Sequence, residues 1–164
     1  MKLDLKSIVE IPGASISFDR QLDLTEWEWN GTHPVTQPVT VCGTVRNMAG
    51  ALILNANMKT RLSLSCDRCN QPFERDQEIS YETLLATELE DEENDEIILL
   101  EDDQLELDEL MTDVFLLSLD TKNLCKEDCR GLCPGCGVDL NVEPCRCKKE
   151  IDPRLAELAK FFEK

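Results

Sequence analysis

The chain has a single histidine, His33, and no lysine or arginine at all between Asp76 and Thr121. Both gaps exclude something. His33 lies in a Gly31-Thr32-His33-Pro34 turn, far along the chain from the cysteines. No histidine-bearing catalytic zinc site with an open position is therefore expected. No Ser/His/Asp set has supporting context, and no glycine-rich phosphate loop is present. Nothing argues for an enzyme or for a small-molecule substrate. No stretch approaches 18 apolar residues, so no membrane span is expected. The N-terminus, Met1 to Glu10, mixes charges into a short apolar pattern and lacks the apolar core and small-residue cleavage site of an export signal. A cytoplasmic protein with reduced thiols is the expectation.

The basic gap coincides with an acidic excess. Residues Asp76 to Thr121 carry 18 carboxylates, whereas the other 118 residues hold 17 basic and 16 acidic side chains. The net charge of -17 thus belongs to one segment. Such a field repels nucleic acid and speeds encounters with basic partners. Salt screens it beyond roughly 8 Å, so a neutral face elsewhere could still touch RNA. The run from Glu88 to Asp103 lacks the register of a calcium loop. It reads either as a solvated loop or as a surface for a basic partner, with Asp91, Glu92, Glu93, Asp95 and Glu96 as candidate contacts.

What the chain has in abundance is cysteine: nine residues, eight of them in close pairs. The pairs are Cys66/Cys69, Cys125/Cys129, Cys133/Cys136 and Cys145/Cys147. In a chain with no export signal this arithmetic points to metal, zinc above all. Paired cysteines a few residues apart can wrap one tetrahedral ion. Cys133-Pro134-Gly135-Cys136-Gly137 has the form of a zinc knuckle, and Cys145 and Cys147 can complete its four ligands. Glycine after the second cysteine permits a positive φ that turns backbone N–H groups toward sulfur. Cys66, Cys69, Cys125 and Cys129 could make a second site across 55 intervening residues. Other groupings of the clustered cysteines, an iron–sulfur cluster and a redox pair remain open at this level. Cys42, alone on an apolar strand, reads as a core residue.

Alternating patterns predict strands over Ala14–Leu24, Val35–Val45, Leu62–Cys66 and Glu78–Leu85. Asn47–Gly50 reads as a turn leading into apolar Ala51–Leu54, and Ile97–Leu100 as a short strand or anchor. Trp27 and Trp29 read as one face of an edge strand on the core rather than as a base-stacking platform. Leu105–Leu119 fits a helix with Leu107, Leu110, Met111, Val114 and Leu117 on one face. Asp152-Pro153 opens a final helix with Leu155, Leu158, Ala159 and Phe162 on one side. The expected fold is α+β: an antiparallel sheet, barrel-like or partly closed, one or two packing helices and a C-terminal cysteine-rich zinc module. The expected organisation is a β-rich core over 1–121, with an acidic loop over about 88–109 and a helix, followed by a metal module and helix over 122–164.

Cys66-Asp67-Arg68-Cys69 after an alternating strand, the acidic loop, the stretch from Leu124 to Gly137, Asn141, Cys145-x-Cys147 and Ile151-Asp152-Pro153-Arg154-Leu155 together resemble the YceD family. The resemblance covers nearly the whole chain. It implies a role in synthesis, processing or stability of large-subunit ribosomal RNA, without an established catalytic activity and with no catalytic residues to carry over. Family genes often lie beside one for a small protein of the large subunit. Proteobacterial members keep counterparts of Cys66 and Cys69 but lack most of the C-terminal cluster, which implies that zinc here is a stabilising variant. The expected function is a non-enzymatic ribosome-biogenesis factor acting through a basic large-subunit protein or a pre-ribosomal particle. One alternative is a direct RNA-binding zinc module, with Arg146, Lys148 and Lys149 facing RNA. A thiol redox protein is the third.

Overall fold

The computed structural model describes residues 2–88 and 97–147. The final helix expected after Asp152 lies outside them. In chain order the elements are β1 (Lys2–Asp4), α1 (Lys6–Val9), β2 (Ser15–Leu22), β3 (Val39–Met48), β4 (Ala51–Ser65), β5 (Pro72–Ala86), β6 (Ile97–Leu99), β7 (Gln104–Glu106) and α2 (Leu107–Leu117). Among the described residues β2 to β6 form one sheet in sequence order, and β1 pairs antiparallel with β7 in a two-stranded ribbon.

The barrel-like expectation does not hold. The five-stranded sheet is open, with β2 and β6 at its edges, and it is mixed rather than antiparallel, because β6 runs parallel to β5. β6 is only three residues long and meets β5 at Leu84–Ala86, so it cannot bring the sheet round to β2. The apolar patch at Ala51–Leu54 and the one expected over Leu62–Cys66, as far as Ser65, belong to a single 15-residue strand. Its polar middle conceals that continuity: Ala56, Met58 and Thr60 face inward between polar outward neighbours.

Period-two alternation is the main organiser. In β3, Val39, Val41 and Val45 are buried, and in β4, Leu52, Leu54, Met58 and Leu62 are. Cys42 is on the opposite phase and is exposed, so it is not the core residue expected of it. Gly43 shares the inner phase because Phe18 lies over it. A β-carbon there would come 2.6 Å from the Phe18 ring and would clash with the Asn55 carbonyl. The β3–β4 turn is tight, with Ala49 at φ 57° and Gly50 at φ 102°, the backbone that a two-residue hairpin demands. Between β4 and β5, Arg61 meets Asp76, Lys59 meets Glu78 and Asn57 meets Ser80. One number falls by two as the other rises by two, which is the register of an antiparallel pair.

Helix α2 buries Leu107, Met111 and Phe115 completely. These recur every four residues, and each contributes roughly 1.5–3 kcal/mol of apolar burial. Leu110 and Val114 flank them. Leu117, expected on this face, is 87% exposed. It sits roughly 120° round the helix from Met111, the middle of the buried arc, and Phe115 takes the place expected for it. Trp27 and Trp29 stand in the β2–β3 connection rather than in a strand, with ring centroids 6.1 Å apart and planes at 20°. Trp27 is partly buried against the core.

One polar side chain is built into this core. Asn47 donates to the carbonyls of Ile8 and Val9 at 2.8 and 2.7 Å, closing the end of α1, and accepts from the Gly50 N–H at 2.8 Å. The chain divides into two compact units. The first comprises Met1–Leu64 and Pro72–Asn123, and the second Ser65–Gln71 together with the chain from Leu124 onward.

Candidate metal centres

The second unit contains all eight paired cysteines. Its first segment is the connection between β4 and β5, where Cys66 and Cys69 sit in a tight turn. The Asn70 N–H bonds to the Cys66 carbonyl at 2.8 Å, and the Cys66 N–H bonds to Gln71 at 2.9 Å. This turn has no glycine. Asn70 supplies the left-handed residue instead, at φ 58°, a conformation asparagine tolerates better than most side chains do.

The eight sulfurs gather into two groups: Cys66, Cys69, Cys125 and Cys129, and then Cys133, Cys136, Cys145 and Cys147. Within each, all four lie within 4.8 Å of one another. Cys66 and Cys129 are 3.7 Å apart, as are Cys69 and Cys125, and Cys136 and Cys145 are 3.8 Å apart. Four thiolates around a tetrahedral ion at about 2.3 Å would have edges of roughly 3.8 Å, so the sulfurs stand where a metal would place them. Cys133 and Cys145 are closer, at 3.1 Å. None of the nine cysteines is in a disulfide, and these separations far exceed a covalent S–S bond of about 2.05 Å. Both groups could hold a metal ion.

The two differ in exposure. Cys66, Cys69 and Cys129 are buried and Cys125 is partly buried, whereas only Cys133 of the second group is buried. Electrostatics are similar in both. Burial raises the Cys66 thiol, but the backbone N–H groups of Cys125, Cys69 and Arg68 outweigh it and bring the pKa down to about 6. Cys125 is pushed up to about 12, by burial first and then by the neighbouring thiols. In the second group Cys133 falls to about 6, through Cys145 and then the N–H groups of Cys136 and Gly135. Cys147 rises to about 12, chiefly through Cys136. Converging sulfurs cannot all ionise on their own, and a divalent cation removes that conflict.

Backbone geometry supports the donor sets. Around Cys133–Cys136 the chain makes a knuckle: the Cys133 N–H bonds to Val138 and the Gly137 N–H to Cys133, both at 2.8 Å. Gly137 has φ 73°, and the Gly135 N–H lies 3.4 Å from the Cys133 sulfur. Gly131, at φ 74°, lets the chain pass against the first turn, where a β-carbon would come 2.8 Å from the Arg68 carbonyl. That carbonyl accepts the Leu132 N–H at 2.9 Å, and the Arg68 guanidinium donates to the Cys129 carbonyl at 2.7 Å. Asn141 donates to the Cys129 sulfur at 3.4 Å and accepts the Arg130 N–H at 2.9 Å. Arg68 and Asn141 both brace Cys129, and the Arg68 carbonyl ties the first turn to Leu132 beside the knuckle, roles that no spacing rule reveals.

Other candidate residues are not gathered here. Arg146 is exposed and lies 4.0 Å from the Glu143 carboxylate. Lys148, Lys149 and the acidic-loop residues Asp91, Glu92, Glu93, Asp95 and Glu96 lie outside the described residues. No helix among the described residues is long and apolar enough to cross a membrane.

Comparison with known proteins matches residues 54–162 to the family described as large ribosomal RNA subunit accumulation protein YceD. Uncharacterised proteins of Mycobacterium bovis and Mycobacterium tuberculosis are 34% identical over 101 residues, covering 59% of this chain and 49% of theirs. The chain therefore spans about half the length of these relatives. A chloroplastic large ribosomal RNA subunit accumulation protein YCED homolog of Zea mays is 26% identical over 164 residues, covering 80% of this chain and 56% of that protein. No solved structure matches. With the cysteine turn, the knuckle and α2 all inside the matched span, the chain belongs to the YceD family.

Proposed function

We propose that this protein is a non-enzymatic, cytoplasmic ribosome-biogenesis factor. It supports accumulation of large-subunit ribosomal RNA by engaging a basic large-subunit protein, free or within a pre-ribosomal particle. The family's description supports the RNA link. The observation that carries the protein partner is the segment from Asp76 to Thr121, with 18 carboxylates and no basic residue. Phosphates are held by releasing counterions from cationic surfaces, and this segment opposes that. It suits the steering of a basic protein and its shielding from stray RNA.

Zinc is the metal we assign to both cysteine groups, in a structural role. Four thiolates leave no open position for a substrate or water, and each loaded site adds a net charge of -2. Two of the basic side chains nearby also sit beside acids, Arg146 beside Glu143 and Lys126 beside Asp128. These charges weigh against the direct RNA-binding reading, in which Arg146, Lys148 and Lys149 would carry the contact.

The test is a tagged pulldown from native lysate, split into nuclease-treated and untreated halves. A basic large-subunit protein is expected to stay bound after nuclease. Loss of all partners with the RNA would overturn the reading in favour of direct RNA binding. Folded-state thiols that react freely in the metal-loaded protein would favour redox chemistry.

A further inference from the structure

Acidic residues flank β6 in sequence, up to Glu96 before it and from Glu101 after it, and β6 opens onto a groove of about 430 Å³ within the first unit. Its floor is apolar, made by Ile98, Leu99 and Leu110. Leu99 is 52% exposed although it lies in a strand. Its rim is acidic: Glu101 ahead of β7, Glu106 at the end of β7, and Glu109 and Asp113 along α2.

Ordinary helix energetics do not account for that rim. Glu109 is in the first turn, where the helix dipole favours an anion, but Asp113 is in the C-terminal half, where it does not. Glu109 and Asp113 are four apart, a like-charge spacing that weakens a helix. Neither has a cationic partner among the described residues, and the last turn carries no base. Leu117 follows Asp113 by a further four residues and extends the stripe as an almost fully exposed apolar side chain. Among the described residues, the one cation lining the groove is Lys2, whose ammonium sits 2.9 Å from Glu106. Its pKa is raised, first by that hydrogen bond and then by the charges of Glu106, Glu101 and Asp102. The chain's own lysine thus shows how a cation is held at this rim.

We infer that this groove is a docking site for a lysine- or arginine-rich amphipathic segment of a large-subunit ribosomal protein. The segment seats an apolar side chain on Leu99 and Leu110 and places basic groups against Glu109, Asp113 and Glu101. Charge complementarity selects the occupant: an acidic or neutral helix would leave unpaired carboxylates facing it. The inference rests on the protein-partner reading above and narrows it to one surface.

The experiment uses the full chain with the RNA-free protein fraction extracted from purified large ribosomal subunits. A benzophenone amino acid placed at position 99 is cross-linked by light, and the captured peptide is identified by mass spectrometry. The captured protein is then titrated against wild type, the double variant Glu109→Lys/Asp113→Lys, and Leu99→Ser. Glu26→Lys/Glu28→Lys, with the same charge change at exposed positions elsewhere, is the control. Circular dichroism checks folding of each variant.

The expected result is a cross-link to a basic segment, a loss of at least tenfold in affinity for the groove double variant, and a change within twofold for the control. Equal affinities for the two double variants would overturn the groove while leaving the ribosomal-protein reading standing. A cross-link to another part of this chain or to a second copy would also overturn it. If wild type binds no protein of the fraction, the broader reading fails, and the groove assignment with it.

Discussion

Replacing Asn47 tests whether the hydrogen bonds inside the core hold the first unit together. Its side chain is 1% exposed and makes three bonds, two to the carbonyls that end α1 and one from the Gly50 N–H of the hairpin turn. Asn47→Ala removes all three; the Ile8 carbonyl keeps the Ile11 N–H at 3.2 Å, whereas the partly buried Val9 carbonyl loses its bond. At about 1 kcal/mol for each of the lost bonds, the loss is about 2–4 kcal/mol. For a unit of this size that lowers Tm by roughly 8–16 °C. Asn47→Asp has almost the same shape and should be worse at pH 7, because a carboxylate oxygen would replace the amide donor facing two carbonyl oxygens. Those neighbours and burial raise the folded-state pKa of such a carboxyl above its unfolded value. The penalty is full at neutral pH, shrinks as pH falls through the folded pKa, and disappears below the unfolded pKa of about 3.9. Trp27 and Trp29 both lie in the first unit, so their fluorescence during urea and thermal unfolding reports that unit alone. A cost below about 0.5 kcal/mol for alanine, or an aspartate variant as stable as wild type at pH 7, would refute this account.

Metal analysis of the purified protein should find two equivalents of zinc, released by a chelator in two phases. The exposed group of Cys133, Cys136, Cys145 and Cys147 goes first; Cys147→Ser should remove the fast phase and Cys129→Ser the slow one, and the reverse order would contradict the burial argument. On the sheet surface, the Arg61 guanidinium holds the Asp76 carboxylate below its ordinary pKa, through a hydrogen bond first and then charge. NMR titration should show that depression vanish in Arg61→Met. The sign follows from linkage: the pair supports the fold above the unfolded carboxylate range and loses its contribution as pH falls through the lowered pKa. An unchanged midpoint in the variant would mean the ion pair does not form in solution.

The sequence by itself determined what depends on local order. Strand alternation in β3, the glycine-bearing hairpin turn, a helix read over 105–119 and found over 107–117, and the pairing of cysteines are set by period and spacing, which the linear chain carries. The acidity of one segment is likewise a property of composition. Only the tertiary structure decided the rest. The sheet is open because β6 joins β5 in parallel over three residues, a pairing that no local pattern encodes. Cys42 and Leu117 are exposed because the phase of a strand or helix is fixed by what it packs against, not by its own apolarity. Spacing could pair the cysteines two by two, but it left open which pairs come together. For Cys66/Cys69 and Cys125/Cys129 the fold decided it: segments 55 residues apart meet where Arg68 bonds the backbone of Cys129 and Leu132 and Gly131 passes against it, contacts that sequence distance conceals.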